Sequence, residues 1–220
     1  MYYESVTSVV ITLTTLLSSL GYAILRYNIV RNVPVESIPL YISNKAIALS
    51  TVILIGLSFL LGPLARFWPK QFVPHLYLRK SLGLTGFTLA ALHAIVSLLL
   101  FSPAYYPRLF LANGKMNLIG ESSMLFGILA FLIFAGISVI SLPPIEKTMI
   151  PAQWKFVQRL GYLAYILVLF HVVIMGWNGW FLASAWKYGL ASISLISALV
   201  IILVLVMRAL VIAFPKKISS

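Results

Sequence analysis

Cysteine is absent from the 220-residue chain, and so is aspartate. Without a thiol there can be no disulfide, no cysteine-bound iron–sulfur cluster and no thiolate zinc site. The carboxylates are limited to Glu4, Glu36, Glu121 and Glu146. That number is too small and too scattered for paired-carboxylate acid–base chemistry or an oxygen cage around a hard cation. Charge of either sign is scarce: 9% of residues are charged and 61% are hydrophobic, whereas a soluble domain carries about 25% charged residues. This composition excludes a water-soluble fold.

What is present is a succession of apolar runs, each long enough to cross the roughly 30 Å of bilayer hydrocarbon. They cover residues 6–25, 46–65, 81–101, 122–142, 160–177 and 189–207. Pro103, Pro143 and Pro144 punctuate their ends. The first run is too long for a removable signal peptide and has neither the basic leader nor the small-residue cleavage site of one. Continuous Leu, Ile, Val, Ala and Phe, without period-two alternation, excludes a membrane β-barrel. The expected fold is all-α: a polytopic membrane protein, a six-transmembrane-helix bundle forming a single domain over residues 1–220, with the lipid bilayer as its first partner.

Sixteen Lys and Arg give a net charge of +12, but they cluster at span ends and form no basic domain of the kind that binds nucleic acid. Read by the positive-inside rule, a cytoplasmic N-terminus puts ten of them inside, among them Arg66, Lys70, Arg79, Lys80, Lys155, Lys216 and Lys217. Six remain outside: Arg26, Arg31, Lys45, Arg108, Lys115 and Lys187. Both termini are therefore expected in the cytoplasm. Trp68, Trp154, Trp177, Trp180 and Trp186 fall at span boundaries, where amphipathic rings are favoured.

Of three histidines, His75 falls in the loop after the second span, while His93 and His171 lie inside the third and fifth. An ionisable group in hydrocarbon is costly and marks a candidate site. His93 follows Lys80 by 13 residues and His171 follows Arg159 by 12. At 1.5 Å per residue both sit roughly 18–20 Å from the inner boundary. Gly86, Ala90, Ala94 and Ser97 line the helix around His93, and Gly161 and Ala164 share a side with His171, leaving room for a flat ring between two axial imidazoles. Small residues equally mark simple helix contacts, and either imidazole can bond a neighbouring carbonyl. Cofactor ligation and polar contact both remain open on the residues alone.

Three motifs go further. Leu78, Arg79, Lys80, Leu82, Gly83 and Leu84, followed by Leu92 and His93, form the first. Gly62, Pro63, Leu64, Ala65 and Arg66, closing the second span, form another. Trp154, Arg159, Leu160, Tyr162 and His171 form the third. In this order the chain resembles the ferric reductase-like transmembrane domain family over about residues 46–177. Within it the resemblance is strongest to the haem-binding membrane subunit of the bacterial methionine sulfoxide reductase system. The six-transmembrane metalloreductases and the NADPH oxidase membrane domain are similar at greater distance.

The resemblance implies a cytochrome b that carries electrons across the membrane, with His93 and His171 as axial ligands of a haem. Two-haem members carry a second His on each of these spans, about 13 to 14 positions nearer the inside. Here Arg79 or Lys80 and Gln158 stand there, which implies a single outer haem b. Arg108 is the outer cation best placed for its propionates. Electrons must still cross the inner half of the bilayer, so a flavin, as FMN or FAD, or a quinone is expected near Arg66, Arg79, Lys80, Trp154 and Gln158.

The donor implied is a cytoplasmic flavin reductase or NAD(P)H dehydrogenase. The acceptor faces outward as a ferric chelate or a periplasmic protein, and the setting is a prokaryotic plasma membrane. The competing class is a non-catalytic membrane subunit or a transporter that uses the two histidines as polar contacts; it lacks the intramembrane carboxylates and internal repeat common in carriers.

Overall fold

A computed structural model describes residues 2–182 and 186–215, except for the side chains of residues 2–5, Pro151 and Lys155. Lys216, Lys217 and the Lys155 side chain, used above to orient the chain, lie outside the described residues. The described chain is helical, with one isolated antiparallel bridge between Phe110 and Met116. Six helices are long and apolar enough to span a membrane. We label them α1 (Tyr2–Ile24), α2 (Ser43–Phe67), α3 (Leu78–Leu99), α4 (Leu118–Ile140), α5 (Pro151–Trp180) and α6 (Ile193–Ala213).

Local chemistry accounts for the ends. At Trp68 (φ −127°, ψ 70°) the chain leaves the helical region, and Pro69 opens a short new helix at a position where its missing N–H costs nothing. The Asn117 side chain accepts a hydrogen bond from the Gly120 N–H at 3.0 Å, and Ser192 does the same for Leu195 at 3.1 Å, capping α4 and α6. Helix α5 begins nine residues before the apolar run that announced it. Pro151 is pre-set for a first helical turn, and the charged Lys155 and Arg159 dilute hydropathy without disturbing helical geometry. Trp154 and Gln158 are consequently helical.

Helix α2 is the axis of the bundle. Of its apolar window 56% is buried, against 11–22% for the other spans. It packs on α1, α3 and α6; α6 packs in turn on α5, and α5 on α4. Between α3 and α4 the contact is thin, carried by stacking of Phe87 on Phe131 at 5.5 Å. The two histidine-bearing helices α3 and α5 have at most marginal contact with each other. Large apolar side chains such as Leu17, Leu99, Leu132 and Ile212 point outward from the bundle. In a soluble protein these would be a liability; facing lipid they are the expected surface.

The main core joins α2, α4, α5 and α6 through Val52, Phe59, Phe134, Tyr165, Ile201 and Val204. The Tyr165 hydroxyl donates to the Val52 carbonyl at 2.7 Å, satisfying the one polar atom of a fully buried ring. Close approach depends on two glycines. A Cβ on Gly56 would lie 2.8 Å from the Tyr165 hydroxyl, and one on Gly161 would lie 2.6 Å from the Phe59 ring.

Gly56→Val is expected to cost about 1–3 kcal/mol by overpacking, read as a lower melting temperature in detergent. Gly21→Ala, where a Cβ meets nothing within 4 Å, is expected to cause no loss.

Candidate functional site

Each intramembrane histidine is held through the same ring nitrogen. His171 Nδ1 lies 2.8 Å from the main-chain carbonyl of Ser123 on α4. A carbonyl can only accept, so Nδ1 carries the hydrogen and Nε2 keeps its lone pair. The Ser123 hydroxyl stands 3.0 Å from the same nitrogen. His93 Nδ1 lies 2.8 Å from Asn44 Oδ1 on α2. Asn44 Nδ2 donates to Ser97 Oγ at 2.9 Å, which leaves Oδ1 to accept from the imidazole. Neither Nε2 has a hydrogen-bond partner among the described residues.

Two helices that barely touch thus present two imidazoles whose Nε2 atoms are the basic, uncommitted ones. The rings are within electrostatic reach of each other. This donor set fits a cofactor that accepts two nitrogen ligands, since an engaged Nδ1–H is the usual support of a metal-binding histidine. Among the described residues no group of three or more His, Cys, Asp or Glu comes together. A bare ion would find too few protein donors; a tetrapyrrole, which brings its own equatorial nitrogens, would not.

Gly127 on α4 completes this arrangement. A Cβ there would fall 3.0 Å from His171 Nδ1 and 3.3 Å from Cε1, so the ring lies against the backbone of α4. Asn44, Ser123 and Gly127 were not anticipated. The available signals were an amide and a hydroxyl in apolar helices, and a Gly one turn after a Ser, but only the packing of α2 on α3 and α4 on α5 reveals what they face.

The residues grouped around His93 by helical spacing divide. Ser97 joins the Asn44 pair, with its hydroxyl 3.4 Å from His93 Nδ1. Ala90 and Ala94 are half-buried on α3. Gly86 turns toward α2, where a Cβ would meet Ile55 Cγ1 at 2.7 Å, so it serves the α2–α3 contact. Ala164 is fully buried in the main core, packed with Tyr165 and its neighbours.

Toward the end of the bundle away from the termini, Lys45 stands inside a box of tyrosines, its Nζ 4.3 Å from the Tyr41 ring centre, 5.1 Å from Tyr27 and 5.9 Å from Tyr106. Burial pushes the Tyr106 phenol up from its ordinary value, partly offset by the Asn44 and Ser97 side chains. Arg108, by contrast, lies on an exposed turn whose carbonyl accepts from Asn117 Nδ2 at 2.8 Å. His75 is exposed in the turn before α3.

At the face carrying the termini, the expected cations also separate. Lys80 is ion-paired with Glu146. Arg79 Nε donates to the Ser58 carbonyl at 3.2 Å, and Ser58 Oγ donates back to the Arg79 carbonyl at 2.6 Å, locking α3 to α2. Gly62 leaves room for this guanidinium, whose Cζ would be 3.8 Å from a Cβ there. Arg208 of α6 lies over the Tyr162 ring at 5.1 Å, and Arg79 is within electrostatic reach of the same phenol. Arg66 donates to the Phe214 carbonyl at 3.2 Å. Trp154 and Gln158 are half-buried on the first turns of α5. Arg208 and Tyr162 therefore belong with Arg79, although sequence order gave no reason to join them.

Comparison with known proteins identifies the family. The signature described as "Ferric reductase like transmembrane component" matches residues 46–169. The chain is 27% identical over 177 residues to metalloreductase STEAP2 of Mus musculus, covering 69% of this chain and 36% of that protein. It is 29% identical over 167 residues to metalloreductase STEAP2 of Homo sapiens, covering 64% and 34%. The chain thus spans about a third of the length of these relatives.

Gly127→Val is expected to push the His171 ring off the Ser123 carbonyl. Nitrogen-15 histidine NMR would then show one imidazole losing its fixed Nδ1–H form, whereas Gly136→Ala, where a Cβ meets nothing within 4 Å, leaves the spectrum unchanged.

Proposed function

The chain belongs to the ferric reductase like transmembrane component family, and on that premise we propose that it is the membrane-spanning electron-transfer part of an oxidoreductase. In this reading it holds one haem b between His93 and His171. Electrons come from a cytoplasmic flavin reductase or NAD(P)H dehydrogenase, through a flavin or a quinone, and go to an outward-facing acceptor. A ferric chelate is the preferred acceptor, in keeping with the metalloreductase relatives; a periplasmic protein is the other. The whole chain acts as one domain in a prokaryotic plasma membrane, with both termini in the cytoplasm.

The observation that carries the reading is the matched pair of imidazoles. Each has its Nδ1–H committed to an oxygen acceptor, and each leaves Nε2 as the free base on a helix separated from its counterpart. A haem held by His93 and His171 would supply one-electron transfer. The chain's own contribution is to fix both rings in one tautomer, so that neither spends its ligand lone pair on a local hydrogen bond. Half-buried Ala90 and Ala94 offer little bulk beside His93. At the outer rim Lys45 is a fixed cation suited to a carboxylate, with exposed Arg108 available to an anion arriving from solution.

On the cytoplasmic side, the pairing of Lys80 with Glu146 leaves Arg79 and Arg208, around Tyr162, as the cations best suited to phosphate. Arg66 flanks them. Trp154 and Gln158, on the early turns of α5, supply a ring for stacking and an amide for a flavin or quinone carbonyl. Aromatic stacking and guanidinium pairing suit an isoalloxazine with its phosphate better than a quinone, which has no charge to offer.

Purified protein reduced with dithionite is expected to give a low-spin b-type difference spectrum at about one haem per chain. His93→Ala and His171→Ala should each abolish it, and persistence in either variant overturns the ligand assignment. Arg79→Gln with Arg208→Gln is expected to weaken flavin binding at least tenfold, from loss of charge-assisted hydrogen bonds worth about 1.5–3 kcal/mol each, with haem content unchanged. Equal flavin retention would dismiss the inner site.

A further inference from the structure

The two imidazoles are alike in which nitrogen they commit, but they differ in what receives it. His171 gives its Nδ1–H to a main-chain carbonyl. His93 gives its own to the side chain of Asn44, a residue 1% exposed on the axial helix α2. Resting on the haem reading above, we propose that Asn44 is the positioning residue that fixes the His93 tautomer and sets how strongly that imidazole donates to iron.

The amide is itself oriented. Asn44 Nδ2 donates to Ser97 Oγ at 2.9 Å, and that same hydroxyl is 3.4 Å from His93 Nδ1. A closed triangle of Asn44, Ser97 and His93 forms, in which only Oδ1 is positioned as the main acceptor for the ring hydrogen. A flipped amide would let Ser97 donate to its carbonyl but would set an NH2 against the ring N–H, losing that hydrogen bond in a buried site, where an unmade bond costs most. Since α2 packs along the whole of α3, this acceptor is held as rigidly as the helices.

An acceptor on Nδ1–H pushes electron density toward Nε2, and the stronger the acceptor, the more the oxidised metal is favoured. A neutral amide carbonyl sits between no acceptor and a carboxylate. An ionised carboxylate at this position would be the stronger acceptor. The side chain at position 44 therefore adjusts one ligand in either direction, whereas the carbonyl behind His171 is common to every residue that could occupy position 123.

Three variants test this: Asn44→Leu, Asn44→Asp and, as control, Gly136→Ala, where a Cβ meets nothing within 4 Å, each compared with the parent by haem content, low-spin electron paramagnetic resonance and redox titration. Asn44→Leu is expected to shift the oxidised-to-reduced ratio at fixed potential about tenfold toward reduced, about 59 mV upward for one electron. Asn44→Asp is expected to shift it by a similar factor toward oxidised, and Gly136→Ala to leave it unchanged. Shifts of the same sign in both Asn44 variants, or none, with haem retained, would overturn the proposal, because a merely structural role gives no opposite pair.

Nitrogen-15 NMR of the haem-free protein supplies an independent readout. The parent is expected to show His93 protonated at Nδ1, and Asn44→Leu to lose that preference; an unchanged tautomer overturns the proposal even if this variant no longer loads haem. A parent protein that never binds haem would instead sink the haem reading, with the tautomer result still deciding the role of Asn44.

Discussion

A helix at the centre of a membrane bundle has to let its neighbours come close, because lipid offers apolar side chains as good an environment as another helix does. Association then depends on dense packing and on polar groups that find partners. Helix α2 meets that constraint with small and hydroxyl-bearing residues: Ser50, Ser58 and Gly56 are set among Leu and Ile, and Asn44 and Arg66 stand toward its two ends. Nearly every one makes a specific contact. Ser50 bonds the Ala46 carbonyl at 2.9 Å, Ser58 ties down Arg79, and Gly56 admits Tyr165. The placement of α3 and α6, and through α6 that of α5, follows from what α2 allows.

The site inherits this order. Because α3 is fixed to α2 and α5 to α4 and α6, the two imidazoles sit on helices with little contact of their own, and each is oriented by the neighbour behind it. Asn44 comes from the helix behind His93, and Ser123 and Gly127 come from the helix behind His171. In both cases the supporting groups engage Nδ1 and leave Nε2 uncommitted. The same logic operates on the face carrying the termini, where Ser58 and Gly62 of α2 position the Arg79 guanidinium and α6 delivers Arg208.

The spans were legible because continuous apolar runs in a chain with so few charges have no other reading, and the family resemblance seen in three motifs agrees with the match over residues 46–169. The start of α5 was not, since hydropathy cannot register a helix that carries Lys155 and Arg159 in its first turns. His93 and His171 stood out by depth alone. Their partners did not, because Asn44 lies 49 residues from His93 and Ser123 lies 48 from His171, and only helix packing sets those distances. Helical spacing also placed Gly86 and Ala164 beside the rings; it describes one helix at a time and is blind to which neighbour a given turn meets. Lys80 was grouped with Arg79 for the same reason, until Glu146, from the loop after α4, drew it away.

The seam between α3 and α4 is closed mainly by one ring stacked on another, Phe87 on Phe131. In water, parting two such rings would expose apolar surface at a real cost. In a bilayer, acyl chains replace each lost contact almost one for one, so separating them carries little penalty. The Phe87–Phe131 seam is therefore where this bundle parts most easily, while the helices gathered on α2 stay joined by hydrogen bonds and close glycine contacts that lipid cannot replace.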